Sequence, residues 1–280
     1  MTGKRILIAG CGRLGTRLGT ALDQAGAEVH GLRRHPRHLP AGITPLAADL
    51  LADPDLSDRL PPGLDQVYYI LTPQTTDDAG YKAAFVTGLT RLLEALSASG
   101  NARARVIFVS STGVYGQDQG EWVDEASVTE PNRFSGRRLL EAETCLRRHP
   151  GVSVVVRFAG IYGPGRDSLV RRVRSGRPCT EPPPRYTNRI HEDDCIGVLT
   201  HVGQLAAPAP LYIGVDDAPC TQCEVMDWLA SALGQQPPRR TAGGTQSGRR
   251  CLNQRLRASG YRFRYPSYRQ GYQRLVRAGV

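Results

Sequence analysis

The chain has 280 residues, of which 40% are hydrophobic, and a formal net charge of +10. This composition can bury a substantial core, which excludes a disordered chain, and its apolar segments are shorter than the roughly 20 residues that span a bilayer. The positive charge is almost entirely arginine, scattered along the chain without interleaved aromatic residues. We therefore expect neither nucleic-acid binding nor a membrane role.

The chain starts with MTGKRILIAG, which leads directly into an apolar segment typical of a strand. This start lacks the pattern of a secretory signal, so we expect a cytoplasmic protein with free thiols on its seven cysteines. Cys220 and Cys223 form a single CxxC. Without a second CxxC or a histidine pair it predicts no metal site, and redox function stays an alternative.

Residues 1–160 alternate short β-branched segments with longer helical patterns. Strands are predicted over residues 5–9, 28–32, 43–47, 66–71, 105–110 and 153–157, and helices over 13–24 and 78–99. Parallel strands need such crossovers, and nearly all of them are right-handed. The sequence therefore predicts an α/β fold with a Rossmann-like, doubly wound parallel sheet.

A glycine motif lies between the first predicted strand and helix. The segment IAGCGRLGTRLG places Gly10, Gly12 and Gly15 in the G-x-G-x-x-G spacing. The three glycines allow a tight turn, a close approach of the backbone to a pyrophosphate, and packing of the helix on the strand. The helix N-terminus also attracts an anion. Because strand, glycines and helix occur together, a dinucleotide site is favoured over a glycine-rich turn without a ligand.

The second predicted strand is followed by Arg33 and Arg34, where an NAD site usually places Asp or Glu. Arginine suits the 2′-phosphate of NADP, both as a charge and as a bidentate donor. Arg13, inside the glycine loop, could close the same pocket. The general abundance of arginine is the alternative explanation. We predict NADP(H) in preference to NAD(H).

The pattern changes after residue 160, where Pro and Gly cluster and the regular alternation is lost. Residues 161–280 are predicted to form a small C-terminal α/β substrate-binding lobe, interleaved with the Rossmann core of residues 1–160. Residues 237–250, rich in Gly, Ser and Arg, predict a mobile loop. The lobe carries several arginines that would suit an anionic small-molecule substrate, although a solvated basic face explains them as well. They are Arg166, Arg171, Arg172, Arg185 and Arg189.

Four further segments carry a family resemblance. They are AADL at 47–50, VSSTGVYG at 109–116, RFAGIYGPGR at 157–166 and NRIHEDDC at 188–195. In this order they resemble the extended short-chain dehydrogenases/reductases of the NAD-dependent epimerase/dehydratase superfamily, and the C-terminal end resembles a small atypical branch. The resemblance implies a nicotinamide cofactor, carbonyl or hydroxyl chemistry on substrates such as nucleotide sugars, and a monomer or homodimer.

The resemblance extends the predicted cofactor site beyond the glycines. The predicted cofactor-binding residues are Gly10, Gly12, Arg13, Leu14, Gly15, Arg33, Arg34, Asp49, Leu50, Leu71, Thr72, Pro73, Ser110 and Phe158. Ser111 takes the family's catalytic Ser/Thr position, with a hydroxyl that caps a strand end as the alternative. His191 falls in a family segment that mainly caps a helix, so it is not a favoured acid or base.

The family's catalytic helix carries Tyr-x-x-x-Lys, in which the lysine charge makes the tyrosine a usable base. The segment RFSGRRLLEAE at 133–143 contains neither residue. Spacing from the serine segment puts Phe134 and Arg138 at the two positions, whereas alignment on SGRRLLEAE puts Ser135 and Leu139 there. The chain has two lysines, at positions 4 and 82. Both lie outside this helix, so the absence does not depend on the alignment.

Three interpretations of the missing pair stay open. Activity could persist with Tyr115 or Ser135 relaying a proton and Arg138 or Arg137 supplying a fixed charge. The cofactor could instead bind without hydride transfer, which would make the protein an NADP(H)-binding sensor or regulator, or the fold could serve as a scaffold. The favoured prediction is an atypical oxidoreductase or epimerase/dehydratase-like enzyme with Ser111, Tyr115 and Arg138 as its candidate catalytic residues.

Overall fold

The structure is a computed structural model that describes residues 3–54 and 56–277. The strands in this part of the chain are β1 Arg5–Ala9, β2 Glu28–Arg33, β3 Ile43–Ala47, β4 Gln66–Tyr69, β5 Arg105–Ser111, β6 Trp122–Val123, β7 Ser153–Phe158, β8 Gly160–Tyr162, β9 Cys179–Thr180, β10 Tyr186–Thr187, β11 Arg189–His191, β12 Leu211–Gly214, β13 Cys220–Thr221, β14 Arg240–Thr241 and β15 Arg250–Cys251.

The helices of the same part are α1 Arg13–Gln24, α2 Leu56–Arg59, α3 Asp78–Tyr81, α4 Gly88–Ala98, α5 Phe134–Leu146, α6 Ser168–Arg174, α7 Glu192–Gln204, α8 Gln222–Ala232, α9 Gln254–Ala258 and α10 Tyr268–Arg277. A π-helical segment, Lys82–Thr87, joins α3 to α4, and a 3₁₀ turn, Thr112–Val114, follows β5. No helix within these bounds is both long enough and apolar enough to cross a membrane.

Seven strands form the central parallel sheet, in the order β12-β7-β5-β4-β1-β2-β3, which confirms the predicted α/β, Rossmann-like fold. Strand β1 pairs in parallel with β2 on one side and with β4 on the other. Its sequence RILIA is apolar after the first residue and those four residues are buried, as expected for a strand covered on both faces. The strand order reverses beside β1, and doubly wound folds bind their ligands at such a point.

The predicted helix over residues 78–99 is interrupted by the π-helical segment. The Tyr69 hydroxyl of β4 donates to the Ala84 carbonyl at 2.5 Å, and the bare Cα of Gly88 lies against the same hydroxyl. An inserted polar group of this kind displaces the regular ladder of backbone hydrogen bonds. The apolar spacing could not show this, because the intruding hydroxyl comes from a separate strand.

The chain divides into two compact units. The first comprises the described residues of 1–114, 131–157 and 198–212, and the second those of 115–130, 158–197 and 213–280. The first unit holds the central sheet except for the last residues of β7 and β12. Residues 115–130, which the sequence assigned to the core, therefore lie in the second unit, and residues 198–212 lie in the first.

The second unit contains short two-stranded sheets, β10-β13, β11-β8, β14-β9 and β15-β6. Its apolar core is formed largely by α6, α8 and α10, with Val170, Met226 and Tyr272 among its buried residues. The segment predicted as a mobile loop, 237–250, instead contains β14 and the first residue of β15, which pair with β9 and β6.

One expectation about the cysteines is wrong. Cys179 on β9 and Cys223 on α8 form a disulfide, with their Cα atoms 5.6 Å apart and a sequence separation of 44. Cys220, the other half of the CxxC, is a free thiol and accepts a hydrogen bond from Arg189. The pairing follows from the packing of α8 against β9 within the second unit, which cysteine spacing alone does not reveal.

Candidate functional site

The glycine loop after β1 forms a cradle with an open side. Gly10 has φ +87°, a left-handed conformation that favours glycine, and a Cβ there would lie 2.5 Å from the Ile70 carbonyl oxygen. A Cβ on Gly15 would lie 2.9 Å from the Gly10 carbonyl oxygen, so this glycine lets α1 pack on the loop. No side chain caps α1 at Gly12, which leaves its first turn suited to an anion.

Beside this loop lies a cavity of about 280 Å³, which we call the cradle cavity. It is lined by Gly10, Gly12, Leu32, Arg33, Arg34, His35, Ala48, Asp49, Leu50, Leu51, Ile70, Leu71, Thr72 and Gln74. These residues come from the carboxyl ends of β1, β2, β3 and β4. The loop, the uncapped helix and the cavity together fit a bound dinucleotide.

The charges of the cradle cavity are mainly positive. Arg33 is half-buried, and its guanidinium donates to the Cys11 carbonyl of the glycine loop at 3.4 Å, while Arg34 and His35 are exposed. Among the described lining residues the one carboxylate is Asp49, and its side chain accepts a hydrogen bond from the Leu51 backbone at 2.9 Å. The end of β2 therefore presents cations where a ribose-binding carboxylate would otherwise lie.

A second cavity, of about 190 Å³, adjoins the first, since Leu71 lines both. We call it the serine cavity. Its lining residues are Leu71, Tyr81, Phe85, Val109, Ser110, Ser111, Gly113, Ser135, Gly136 and Leu139. It contains the hydroxyl of Ser111, whose oxygen accepts a hydrogen bond from the Gly113 backbone at 3.1 Å.

The placement of α5 distinguishes the two alignments of its sequence. A Cβ on Gly136 would lie 2.5 Å from the Gly113 carbonyl oxygen, so α5 packs closely on the loop after β5 at this point. Ser135 and Leu139 consequently line the serine cavity. Phe134 instead packs edge-on against Tyr81, with ring centroids 5.5 Å apart. The geometry favours the register in which Ser135 and Leu139 occupy the positions of the missing pair.

The chain matches the model of the NAD-dependent epimerase/dehydratase family over residues 6–195. It belongs to this family. The Escherichia coli K12 protein YeeZ is 29% identical over 275 residues, which cover 94% of this chain and 97% of YeeZ. A provisionally assigned NAD-dependent epimerase/dehydratase of Methylobacillus flagellatus shares 37% identity and a TM-score of 0.82, with 99% and 98% of the two chains covered.

The same fold occurs in the human epimerase family protein SDR39U1, which was solved with NADPH. The two chains share 21% identity and a TM-score of 0.78, with 98% of this chain and 99% of that chain covered. At this identity the likeness concerns the fold alone.

Not every predicted residue of this epimerase/dehydratase family member lies in the same cavity. The cradle cavity brings together Gly10, Gly12, Arg33, Arg34, Asp49, Leu50, Leu71 and Thr72. Ser110 lines the serine cavity instead, and Arg13, Leu14, Gly15 and Pro73 line neither. Phe158 belongs to the second unit, where it is buried against Gly214. Six lining residues of the cradle cavity were missed, although each is next in sequence to a predicted residue: Leu32, His35, Ala48, Leu51, Ile70 and Gln74.

Two candidate catalytic side chains are engaged in contacts of their own. Arg138 donates from Nε and Nη2 to the two carboxylate oxygens of Asp78, at 2.9 and 2.7 Å, and its Nη1 pairs with Glu141 at 2.8 Å. These carboxylates raise the pKa of Arg138. Tyr115 belongs to the second unit, is buried, and donates to the Asp124 carbonyl at 2.8 Å. A catalytic role for either residue stays a prediction.

Behind the serine cavity lies a buried group of three hydrogen-bonded side chains, Ser110, Glu143 and Arg157, which we call the triad. Ser110 Oγ donates to Glu143 Oε1 at 2.7 Å, and the guanidinium of Arg157 donates to both oxygens of the same carboxylate, at 3.0 and 2.6 Å. Glu143 is 1% exposed and Arg157 is 5% exposed. The triad joins β5, α5 and β7, so it holds α5 against the sheet. A glutamate on the apolar side of α5 is the sequence signal for it.

Alanine at Gly12 is expected to weaken NADPH binding about fivefold without disturbing the fold, the loss of roughly one hydrogen bond to a phosphate. Gly12 has φ −83°, and its Cβ would have no neighbour closer than 4.0 Å, so the added methyl points into open space. Titration of NADPH fluorescence and thermal melting measure the two effects. Gly10→Ala is the matched contrast, because the clash of its Cβ should lower the melting temperature. An unchanged NADPH affinity of Gly12→Ala would contradict cofactor binding at the glycine loop.

Proposed function

We propose that this protein binds NADP(H) in the cradle cavity and catalyses hydride chemistry on the carbonyl or hydroxyl group of a small-molecule substrate. It would act as an oxidoreductase or epimerase/dehydratase-like enzyme that lacks the usual Tyr-x-x-x-Lys pair. The observation that carries the cofactor preference is the pair of cations, Arg33 and Arg34, along one side of the cavity that also contains the glycine loop. A bound nicotinamide would supply or accept the hydride.

The hydroxyls of the serine cavity support a role in positioning the reacting oxygen. Ser111 accepts a hydrogen bond from the Gly113 backbone, and a hydroxyl that accepts such a bond keeps its own hydrogen as a donor. It can therefore donate to a substrate carbonyl. Ser135 lines the same cavity from α5, at the position where the family's tyrosine falls. Two aliphatic hydroxyls can orient a carbonyl, but they lose protons less readily than a phenol.

A second candidate function is an NADP(H)-binding sensor or regulator that transfers no hydride. One specific observation favours it: the described lining of the serine cavity contains no lysine, arginine or histidine. Without a fixed cation, a developing phenolate or alkoxide would lack the charge that stabilises it in the family's usual chemistry.

Ser111→Ala is expected to lower kcat/KM about a hundredfold, because it removes the positioned hydroxyl donor. The measurement follows NADPH absorbance with a panel of ketones and aldehydes, and NADP⁺ reduction with the matching alcohols. Ser97→Ala, on the exposed end of α4, is the control and should keep full activity. Tyr115→Phe, measured in parallel, tests the predicted proton relay.

The two candidate functions give different results in this assay. Turnover that Ser111→Ala reduces and Ser97→Ala does not would support the enzyme. Tight NADPH binding without turnover of any panel member would favour the sensor, and failure to bind NADPH at micromolar concentration would contradict both.

A further inference from the structure

The serine cavity differs from the cradle cavity in its electrostatics. The cradle cavity presents Arg33 and Arg34, whereas the described lining of the serine cavity consists of apolar, aromatic, hydroxyl and glycine residues with no formal charge. A charged group placed there would have to leave water without gaining a counter-ion, which is costly. A neutral group meets no such penalty.

Two ionic side chains of α5 are already neutralised by partners. Glu143, which holds the Ser110 hydroxyl, forms a buried ion pair with Arg157 at 2.6 Å. Arg138 pairs with Asp78 and Glu141 at 2.7 and 2.8 Å. Neither pair leaves an uncompensated charge to attract an anion toward the cavity.

One wall of the serine cavity is aromatic and held in place by packing. The rings of Tyr81 and Phe85 both line the cavity, with centroids 5.4 Å apart. Phe134 supports Tyr81 from α5 at 5.5 Å, and Phe108 supports Phe85 at 6.2 Å. Leu139 adds an apolar side chain at the position of the family's lysine. The substitution that removes the cation therefore also makes this wall apolar.

We infer that the substrate carries its reacting carbonyl or alcohol on an uncharged, apolar group, with a planar ring as the best match for the Tyr81 and Phe85 wall. A carboxylate or phosphate next to the reacting carbon is disfavoured. This inference rests on the proposed function for the identity of the reacting group. It concerns only the part of the substrate inside the serine cavity.

A matched pair of probes tests the inference: methyl benzoylformate and benzoylformate. Both carry a ketone on a phenyl ring. Beside the reacting carbon, the first has a neutral methyl ester and the second has a carboxylate. Binding to the full chain without cofactor is measured by saturation-transfer NMR, so that no turnover occurs and the positive ring of NADP⁺ does not favour the carboxylate. We expect the ester to bind at least tenfold more tightly than the anion.

Three variants locate the binding and separate charge from size. Ser135→Asp is expected to bind the ester at least tenfold more weakly than Ser135→Asn, since the two new side chains have the same shape and differ only in charge. Ser168→Asp places the same charge at the start of α6 in the second unit and is the control for effects of net charge. Thermal melting checks that each variant is folded.

The outcomes are distinct from those of the proposed function. Equal or tighter binding of benzoylformate would overturn the inference, and so would the absence of ester binding to the wild-type chain. If the ester binds as expected but no NADPH is consumed, the result counts against the hydride chemistry and leaves the assignment of the cavity's ligand class intact.

Discussion

Replacement of Arg33 by alanine is expected to weaken NADPH binding between about 10- and 100-fold and to change NADH binding by no more than about twofold. A hydrogen bond to a charged group contributes about 1.5–3 kcal/mol, and 1.4 kcal/mol corresponds to a factor of ten. Arg33 is the half-buried cation of the cradle cavity, held beside the glycine loop by its bond to the Cys11 carbonyl. NADH lacks the 2′-phosphate, so its binding affinity should change little.

The dissociation constants of both cofactors, measured by fluorescence titration of wild type and variant, check this expectation. Arg37→Ala is the matched control, since Arg37 follows in the same loop, is exposed, and does not line the cavity. Equal losses of NADPH and NADH affinity in Arg33→Ala would point to a general disturbance of the loop. Tighter binding of NADH than NADPH by the wild type would contradict the NADP(H) preference itself.

Replacement of Glu143 by glutamine is expected to lower the free energy of unfolding by about 3 kcal/mol, at the low end of the cost of breaking a buried ion pair. The variant keeps the size of the side chain and an acceptor for Ser110, but it leaves the guanidinium of Arg157 buried without its counter-charge. Arg157 is 5% exposed, so water cannot replace the lost partner.

Urea unfolding of the purified chain measures this loss. Glu141→Gln is the matched control: it lies on the same helix, the side chain of Glu141 is 42% exposed, and Arg138 keeps its pair with Asp78, so the effect should be far smaller. If Glu143→Gln and Glu141→Gln destabilise equally, the buried triad does not hold α5 as proposed. We also expect Glu143→Gln to reduce activity, because α5 carries Ser135 into the serine cavity.

Helix α5 lacks the tyrosine and lysine of its family. It is nevertheless held firmly in place, because Gly136 packs on Gly113 and Glu143 pairs with Arg157. Ser135 and Leu139 line the cavity from this helix, and neither can replace a tyrosine base or a lysine cation. The serine cavity is therefore formed, but it lacks the tyrosine and the lysine. Both an enzyme with an altered site and a cofactor-binding sensor are compatible with it.

Several features followed from local sequence alone. Gly10 adopts a left-handed backbone conformation, and Gly15 lets α1 approach the loop. Both requirements favour glycine at a fixed position, so the sequence alone shows the motif. The segments at residues 5–9 and 43–47 were bounded clearly enough for the sequence to predict the first and last residues of β1 and β3. Arg33 and Arg34 could be placed at the cofactor site because the residues after a parallel strand meet at one edge of the sheet.

Other features depended on contacts between distant parts of the chain. The π-helical segment arises where the Tyr69 hydroxyl meets the Ala84 carbonyl, and the disulfide where β9 meets α8. Arg138 pairs with Asp78, which lies 60 residues away in sequence, so no local pattern shows this contact. Pairwise distances of this kind are set by packing, and no spacing rule encodes them.

The sequence by itself determined that this chain folds as an NAD-dependent epimerase/dehydratase family member and that it has no lysine for the family's catalytic pair, since both follow from which residues are present and in what order. Only the tertiary structure decided that Ser135 and Leu139, rather than Phe134 and Arg138, line the serine cavity. The physical reason is that a shift of one residue turns a helix by about 100°, and the close contact of Gly136 with Gly113 selects one rotation.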